Sequence, residues 1–180
     1  VRHKNWDYSQ SGYYFVTICT KDMQEFFGEV ANGKMKLSEI GKIANEYWQE
    51  IPKHFPFVRL DEFIVMPNHI HVIILVGAPL AGVETATSRD AINGVSTGGI
   101  TGKYNPMNNP RSLSKIIRWY KGRCSFEIGK NTSTIDFQWQ PSFYDRIIRN
   151  EQSLGKICQY IQRNPKFWDE DKNKVENIFY

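Results

Sequence analysis

Apolar and polar positions divide the chain into strand-like and helix-like blocks. Tyr13-Tyr14-Phe15-Val16-Thr17-Ile18-Cys19-Thr20 is β-branched and aromatic throughout and predicts a first strand. Leu37, Ile40, Ala44, Tyr47, Trp48 and Ile51 then recur at helical spacing, with Ser38 as N-cap, Glu39 in the first turn and Pro52 as the stop. Val58 to Val65 and His69 to Val76 read as two strands joined by a turn at Met66–Asn68, hence a hairpin. Leu113, Ile116, Ile117, Tyr120 and Cys124 form a second helical stripe. Trp139 to Ile148 resembles a fourth strand, and Asn150 caps a last helix through Leu154, Ile157, Cys158 and Ile161 that Pro165 ends. The order strand, helix, strand, strand, helix, strand predicts an α+β fold: a ferredoxin-like β-α-β-β-α-β sandwich. Its antiparallel sheet would carry two helices on one face, with a C-terminal helix appended.

Between Gly77 and Pro110 the periodicity stops and Gly, Ala, Ser, Thr and Asn take over. Residues 1–180 thus read as a single domain with a flexible insertion at about 77–110. A hydrophobic share of 41% supports one packed core. No apolar run approaches the roughly 20 residues of a membrane helix, so no membrane partner is expected. Cys19, Cys124 and Cys158 are odd in number and widely spaced, which reads as reduced thiols in a cytoplasmic protein. The net charge of +4 is compatible with a polyanionic partner without requiring one.

The chemistry concentrates at Met66-Pro67-Asn68-His69-Ile70-His71. Side chains alternate along a strand, so His69 and His71 share one face. Taken alone, such a pair reads first as partly buried, hydrogen-bonded histidines; its place beside a tight turn tilts it toward a site. On the last helix, Tyr160 and Asn164 are four apart and stack on one side, next to the apolar stripe. Separately they read as an edge aromatic and a helix-end Asn. Together with the histidines they compose an open site for a divalent cation, with two imidazole nitrogens and one amide oxygen. A phenol one turn away is then held beside whatever the cation polarises. Such a constellation suits covalent DNA strand transfer with Tyr160 as nucleophile.

Several segments resemble the single-tyrosine transposases of the His-hydrophobe-His nuclease superfamily, and within them the REP-associated tyrosine transposases. They are Gly12-Tyr13-Tyr14-Phe15-Val16-Thr17, Met66 to His71, Trp139-Gln140-Pro141-Ser142-Phe143-Tyr144-Asp145-Arg146-Ile147-Ile148-Arg149, and Tyr160-Ile161-Gln162-Arg163-Asn164-Pro165. The resemblance implies His69, His71 and Asn164 as ligands of a Mg2+ or Mn2+ cofactor and Tyr160 as the catalytic nucleophile. It implies a bacterial, nucleoid-associated enzyme that cleaves and rejoins hairpin-bearing single-stranded DNA of the repetitive palindrome type. The DNA 5′ end would stay on tyrosine. Alternatives left open are a palindrome-binding module with lost cleavage and a replication-initiation-type nicking enzyme. The tail 166–180 departs from the family's usual ending.

Candidate DNA contacts are Arg111, Lys115, Arg118 and Arg123 on the second helix and Arg146 and Arg149 before the last. Arg2 and Lys4 join them, with Trp119, Trp139 and Phe143 as aromatic candidates for stacking. The sequence does not decide between monomer and homodimer.

Overall fold

A computed structural model describes residues 11–77, 112–131 and 136–168. Strand β1 (Gly12–Cys19) is followed by a tight turn at Lys21–Met23 and a small hairpin, β2 (Gly28–Ala31) and β3 (Lys34–Leu37). Helix α1 (Glu39–Gln49) runs into a one-turn helix α2 (Ile51–His54). Then come β4 (Val58–Val65), β5 (His69–Val76), α3 (Leu113–Asn131), β6 (Tyr144–Ile148) and α4 (Glu151–Arg163), the last tightening into a 3-10 turn at Asn164–Phe167. The predicted insertion lies, from residue 78 onward, outside the described residues, as do Arg111, Arg2, Lys4 and the tail from residue 169.

The main sheet has the order β4-β5-β1-β6 and is antiparallel throughout. This is the ferredoxin-like α+β sandwich expected from the element order. Residue parity decides its two faces. Tyr14, Val16 and Ile18 of β1 and Ile70, Val72, Ile74 and Val76 of β5 point to one side. There they pack with Ile40, Ala44 and Trp48 of α1 and Leu113, Ile116, Tyr120 and Cys124 of α3. The Tyr120 hydroxyl donates to the Ala44 carbonyl at 2.8 Å, which satisfies a buried phenol and ties the two helices together. Phe15 and Ile73 point to the other side and meet Ile148 and Ile161. That is where α4 lies.

Ser38 and Asn150 cap α1 and α4 as the sequence predicts: their side chains accept from Gly41 N at 3.0 Å and Ser153 N at 2.8 Å. Three boundaries differ from expectation. Leu37 belongs to β3, not to α1. Pro52 does not stop a helix but sits in the first turn of α2, where its missing N–H costs nothing. The fourth strand is Tyr144–Ile148 only; Trp139 makes an isolated bridge to Thr20, and Pro141 lies in the loop between that bridge and β6, with no N–H to offer a ladder. The β2–β3 hairpin turns at Asn32 and Gly33, both with positive φ (53° and 67°), the type I′ geometry that Asn-Gly favours.

Candidate active site

His69 and His71 stand on the α4 face of β5, adjacent to Thr17 and Cys19 of β1 through the pairings Thr17↔His71 and Cys19↔His69. Their ring centroids are 4.4 Å apart, and they are 1% and 2% exposed. Burial disfavours the imidazolium, so the pKa of His69 is pushed down to about 3. That of His71 is held well below its ordinary value, first by burial and then by the neighbouring His69. Both rings are neutral at physiological pH, the state in which an imidazole can ligate a cation.

The hydrogen bonds fix which nitrogen is available. Asn68 Nδ2 donates to the Met23 carbonyl at 3.1 Å, which leaves Asn68 Oδ1 facing His69 Nδ1 at 2.8 Å. An amide oxygen only accepts, so His69 carries its proton on Nδ1. Its Nε2 is a buried lone pair with no hydrogen-bond partner. On His71, Nδ1 is 2.9 Å from Thr17 Oγ1 and Nε2 is 3.2 Å from the Tyr160 hydroxyl. With the proton again on Nδ1, Thr17 accepts and the phenol donates to Nε2. Met23 itself sits in the tight turn, where Asp22 and Met23 take left-handed φ of 53° and 54°.

Helix α4 brings its polar groups down onto the histidines. Leu154, Ile157, Cys158 and Ile161 seat it on Phe15, Ile73 and Ile148. Gln162 Nε2 donates to Glu62 Oε2 at 2.9 Å, and Glu62 lies where the β4–β5 register shifts between Leu60 and Phe63. Tyr160 is half-buried, 5.3 Å from the His71 ring and edge-on to Phe15. Eight residues further on, Trp168 packs its ring 5.9 Å from His69. Asn164 falls midway in sequence between these two contacts and is 1% exposed. The predicted Tyr160 and His71 are therefore brought into contact, with His69 beside them.

Two imidazole nitrogens on a rigid strand, one of them an orphaned buried lone pair, suit a divalent cation. Among the described residues no three His, Cys, Asp or Glu side chains converge on a metal position. A cation here would depend on the Asn164 amide for a third protein ligand. The surroundings that orient the histidines, Asn68 and Thr17, escape sequence reasoning as functional residues, although Asn68 lies within the Met66–His71 run and Thr17 within the first strand. Trp168 escapes it too, since a helix stop at Pro165 hides its place on the same side as Tyr160.

The candidate DNA contacts divide between two places. Arg146 lies opposite Phe15 on β6 and so shares the histidine face. With Arg149, Asn150 and Ser153 it lines a hollow of about 340 Å³ between β6 and α4. Lys115 and Arg118 are exposed on α3, which covers the other face. Arg118 lines a groove of about 820 Å³ between α3 and residues 139–144. Arg123 pairs with Glu127 at 3.1 Å and lies over the Tyr47 ring. Trp119 stacks on His54, and Trp139 packs against Phe27 and Tyr120. Among the described residues no helix is long and apolar enough to cross a membrane.

An antiparallel ferredoxin-like sheet with a His-x-His strand facing a tyrosine-bearing terminal helix defines this molecule. The chain belongs to the same family as an uncharacterized protein of Haemophilus influenzae (strain ATCC 51907 / DSM 11121 / KW20 / Rd), to which it is 33% identical over 176 residues, 98% of this chain and 92% of that one. Its fold is similar to that of a REP-associated tyrosine transposase solved bound to a REP hairpin: the TM-score is 0.56 at 16% identity, over 92% of this chain and 71% of that chain. No protein-family model matches the sequence.

Proposed function

We propose that this protein is a metal-dependent DNA endonuclease and strand transferase of the single-tyrosine transposase type. Its substrate would be hairpin-bearing single-stranded DNA, as in repetitive extragenic palindromes, and its place of action the bacterial nucleoid. The observation that carries the reading is the Tyr160 hydroxyl lying 3.2 Å from Nε2 of His71, 89 residues away in sequence. The fold shared with a transposase that binds a REP hairpin supports the substrate class.

In this reading Tyr160 Oη attacks the scissile phosphorus. The new bond is O–P to tyrosine, the bond that breaks is P–O3′, and the phenol's proton is balanced by the one gained at the departing 3′ oxygen. The 5′ phosphate remains on the enzyme, and a strand hydroxyl reverses the step. His69, His71 and Asn164 would hold Mg2+ or Mn2+, which when bound withdraws charge from the phosphodiester. Asn68 and Thr17 aim the two rings, Phe15 and Trp168 exclude water from their sides, and the Gln162–Glu62 bond keeps α4 in register with the sheet. Arg146 and Arg149 lie on the approach to that surface and suit phosphate contacts.

The test is incubation of the protein with hairpin DNA and Mn2+, scored as a denaturant-resistant adduct by gel and mapped by mass spectrometry. The expected result is an adduct on Tyr160 that disappears with chelator and in Tyr160→Phe, while the variant still binds DNA. An adduct surviving in that variant would overturn the assigned nucleophile.

A further inference from the structure

The β2–β3 hairpin forms a two-stranded sheet of its own, apart from the main sheet. Such a hairpin is marginal by itself, so what it touches decides where it stands. Its base is fixed to the turn that precedes the histidines. Phe27, one residue before β2, is fully buried, and its N–H donates to the Pro67 carbonyl at 2.9 Å. The Phe27 carbonyl accepts from Ser38 N at 2.9 Å, one residue past β3, so both legs of the hairpin close on one residue. Helix α1 closes there too: a Cβ at Gly41 would run into the Phe27 carbonyl.

The tip reaches the other half of the site. Gly33, with a φ of 67°, lies against Lys166: a Cβ on Gly33 would stand 3.4 Å from Lys166 Cγ, 3.6 Å from Cα and 3.9 Å from Cβ. Lys166 belongs to the 3-10 turn Asn164–Phe167, against which β3 packs. Asn164 opens this turn, and Trp168, just beyond it, rests on His69. Asn164 and Trp168 are buried whereas Lys166 is exposed, so the hairpin meets the turn on its outer side. The apolar patch that seats α4 ends at Ile161, three residues short of Asn164, and the turn draws on this second support.

We propose that the β2–β3 hairpin is the positioning element for Asn164: with its base on Pro67 and Gly33 seated on Lys166, it holds the turn bearing Asn164 against the two histidines. Paired strands rise by about 3.3 Å per residue, which makes the hairpin a spacer of set length between the two turns. The inference rests on the proposed function for the use of Asn164 as a ligand. It goes beyond that reading in giving the placement of this ligand to a segment outside the ligand set.

A reversible tie between tip and turn supplies the test. The 3.9 Å between the two Cβ positions suits a disulfide, for which the mean is about 3.8 Å. Gly33→Cys with Lys166→Cys, in a Cys158→Ser background that removes the half-buried native thiol, therefore gives one polypeptide with the tip tied or loose. Mn2+ alone is titrated by calorimetry into the oxidised form and into the reduced form freed of reductant. The oxidised form should bind as the wild type does. The reduced form, with a side chain strained at a left-handed φ, should bind about ten-fold more weakly. Adding Asn164→Ala should erase the difference between the two redox states, which general stabilisation of the hairpin would not do. Hydrogen exchange without metal is the independent readout: the oxidised form should protect the segment 164–168 more than the reduced form does, with β5 unchanged. A disulfide that fails to form, equal Mn2+ affinity in the two states with Asn164 present, or equal exchange of 164–168 would each overturn the inference. A wild type that binds no Mn2+, with the exchange difference intact, would instead overturn the metal reading and leave the hairpin's hold on Asn164 standing.

Discussion

The two faces of the sheet are built from the same strands by alternate residues, yet they are different materials. One side is filled with Ile, Val and aromatics from β1, β5, α1 and α3. The other is apolar only where α4 rests, on Phe15, Ile73, Ile148 and Ile161, and beside that small patch it buries His69, His71, Thr17 and Asn164. The closed face carries the fold. The α4 face accepts the cost of buried polar groups and holds them with hydrogen bonds in place of packing. The proposed site lies on this second face.

The sharpest way to break that comparison is to cut an equal volume from each side. Ile74→Ala on the closed face should lower global stability by about 2–5 kcal/mol in denaturant unfolding. Ile161→Ala should act locally, exposing the amides of α4 to hydrogen exchange while the sheet stays protected. Equal global losses would mean that the two faces share the load.

Next in size is the orientation of the rings. Asn68→Ala removes the acceptor that fixes the His69 proton on Nδ1, and Thr17→Val removes the partner of His71. Each should weaken Mn2+ binding about 10–100-fold by calorimetry, with little change in melting temperature.

Acid should find the α4 face first. Both histidines bind protons far less readily folded than unfolded, because burial penalises the charge. Stability is therefore complete above the ordinary histidine pKa near 6.5. It falls as pH drops from there toward about 3, where folded His69 also protonates. Melting temperatures across that window should decline less steeply in His69→Gln, which removes one of the two proton-linked groups. The smallest effect is expected at Gly155, in α4 with nothing near an added Cβ: Gly155→Ala should stabilise by about 0.5–1 kcal/mol.

Much of this division is legible in the sequence, because it is a matter of parity. His69 and His71 alternate with Ile70 and Val72, so whichever face is packed, the histidines take the other. The four-residue spacing of Tyr160 and Asn164 likewise places them together at the edge of the stripe that seats α4. What parity does not give is the partner in the third dimension. Thr17 reaches His71 through strand register, and Asn68 is aimed by a carbonyl in a distant turn. The β2–β3 hairpin was also within reach: Asn32-Gly33 is a strong hairpin signal, but its four-residue strands are half-exposed and carry no apolar run to flag them. On α3 the helix and its exposed cations follow from spacing, whereas which face of the sheet they cover does not.

The turn at Lys21–Met23 has a consequence for how the histidine pair could be tuned. Two successive non-glycine residues there take a backbone shape that L-amino acids avoid, and the carbonyl so displayed anchors the amide that steers His69 from 45 residues downstream. The bearing of the imidazole is thus written into main-chain torsion, not into the size of its neighbours. Asp22→Gly would slacken that torsion without touching His69, His71 or Asn164, and under the proposed function the change should surface as faster exchange of added Mn2+.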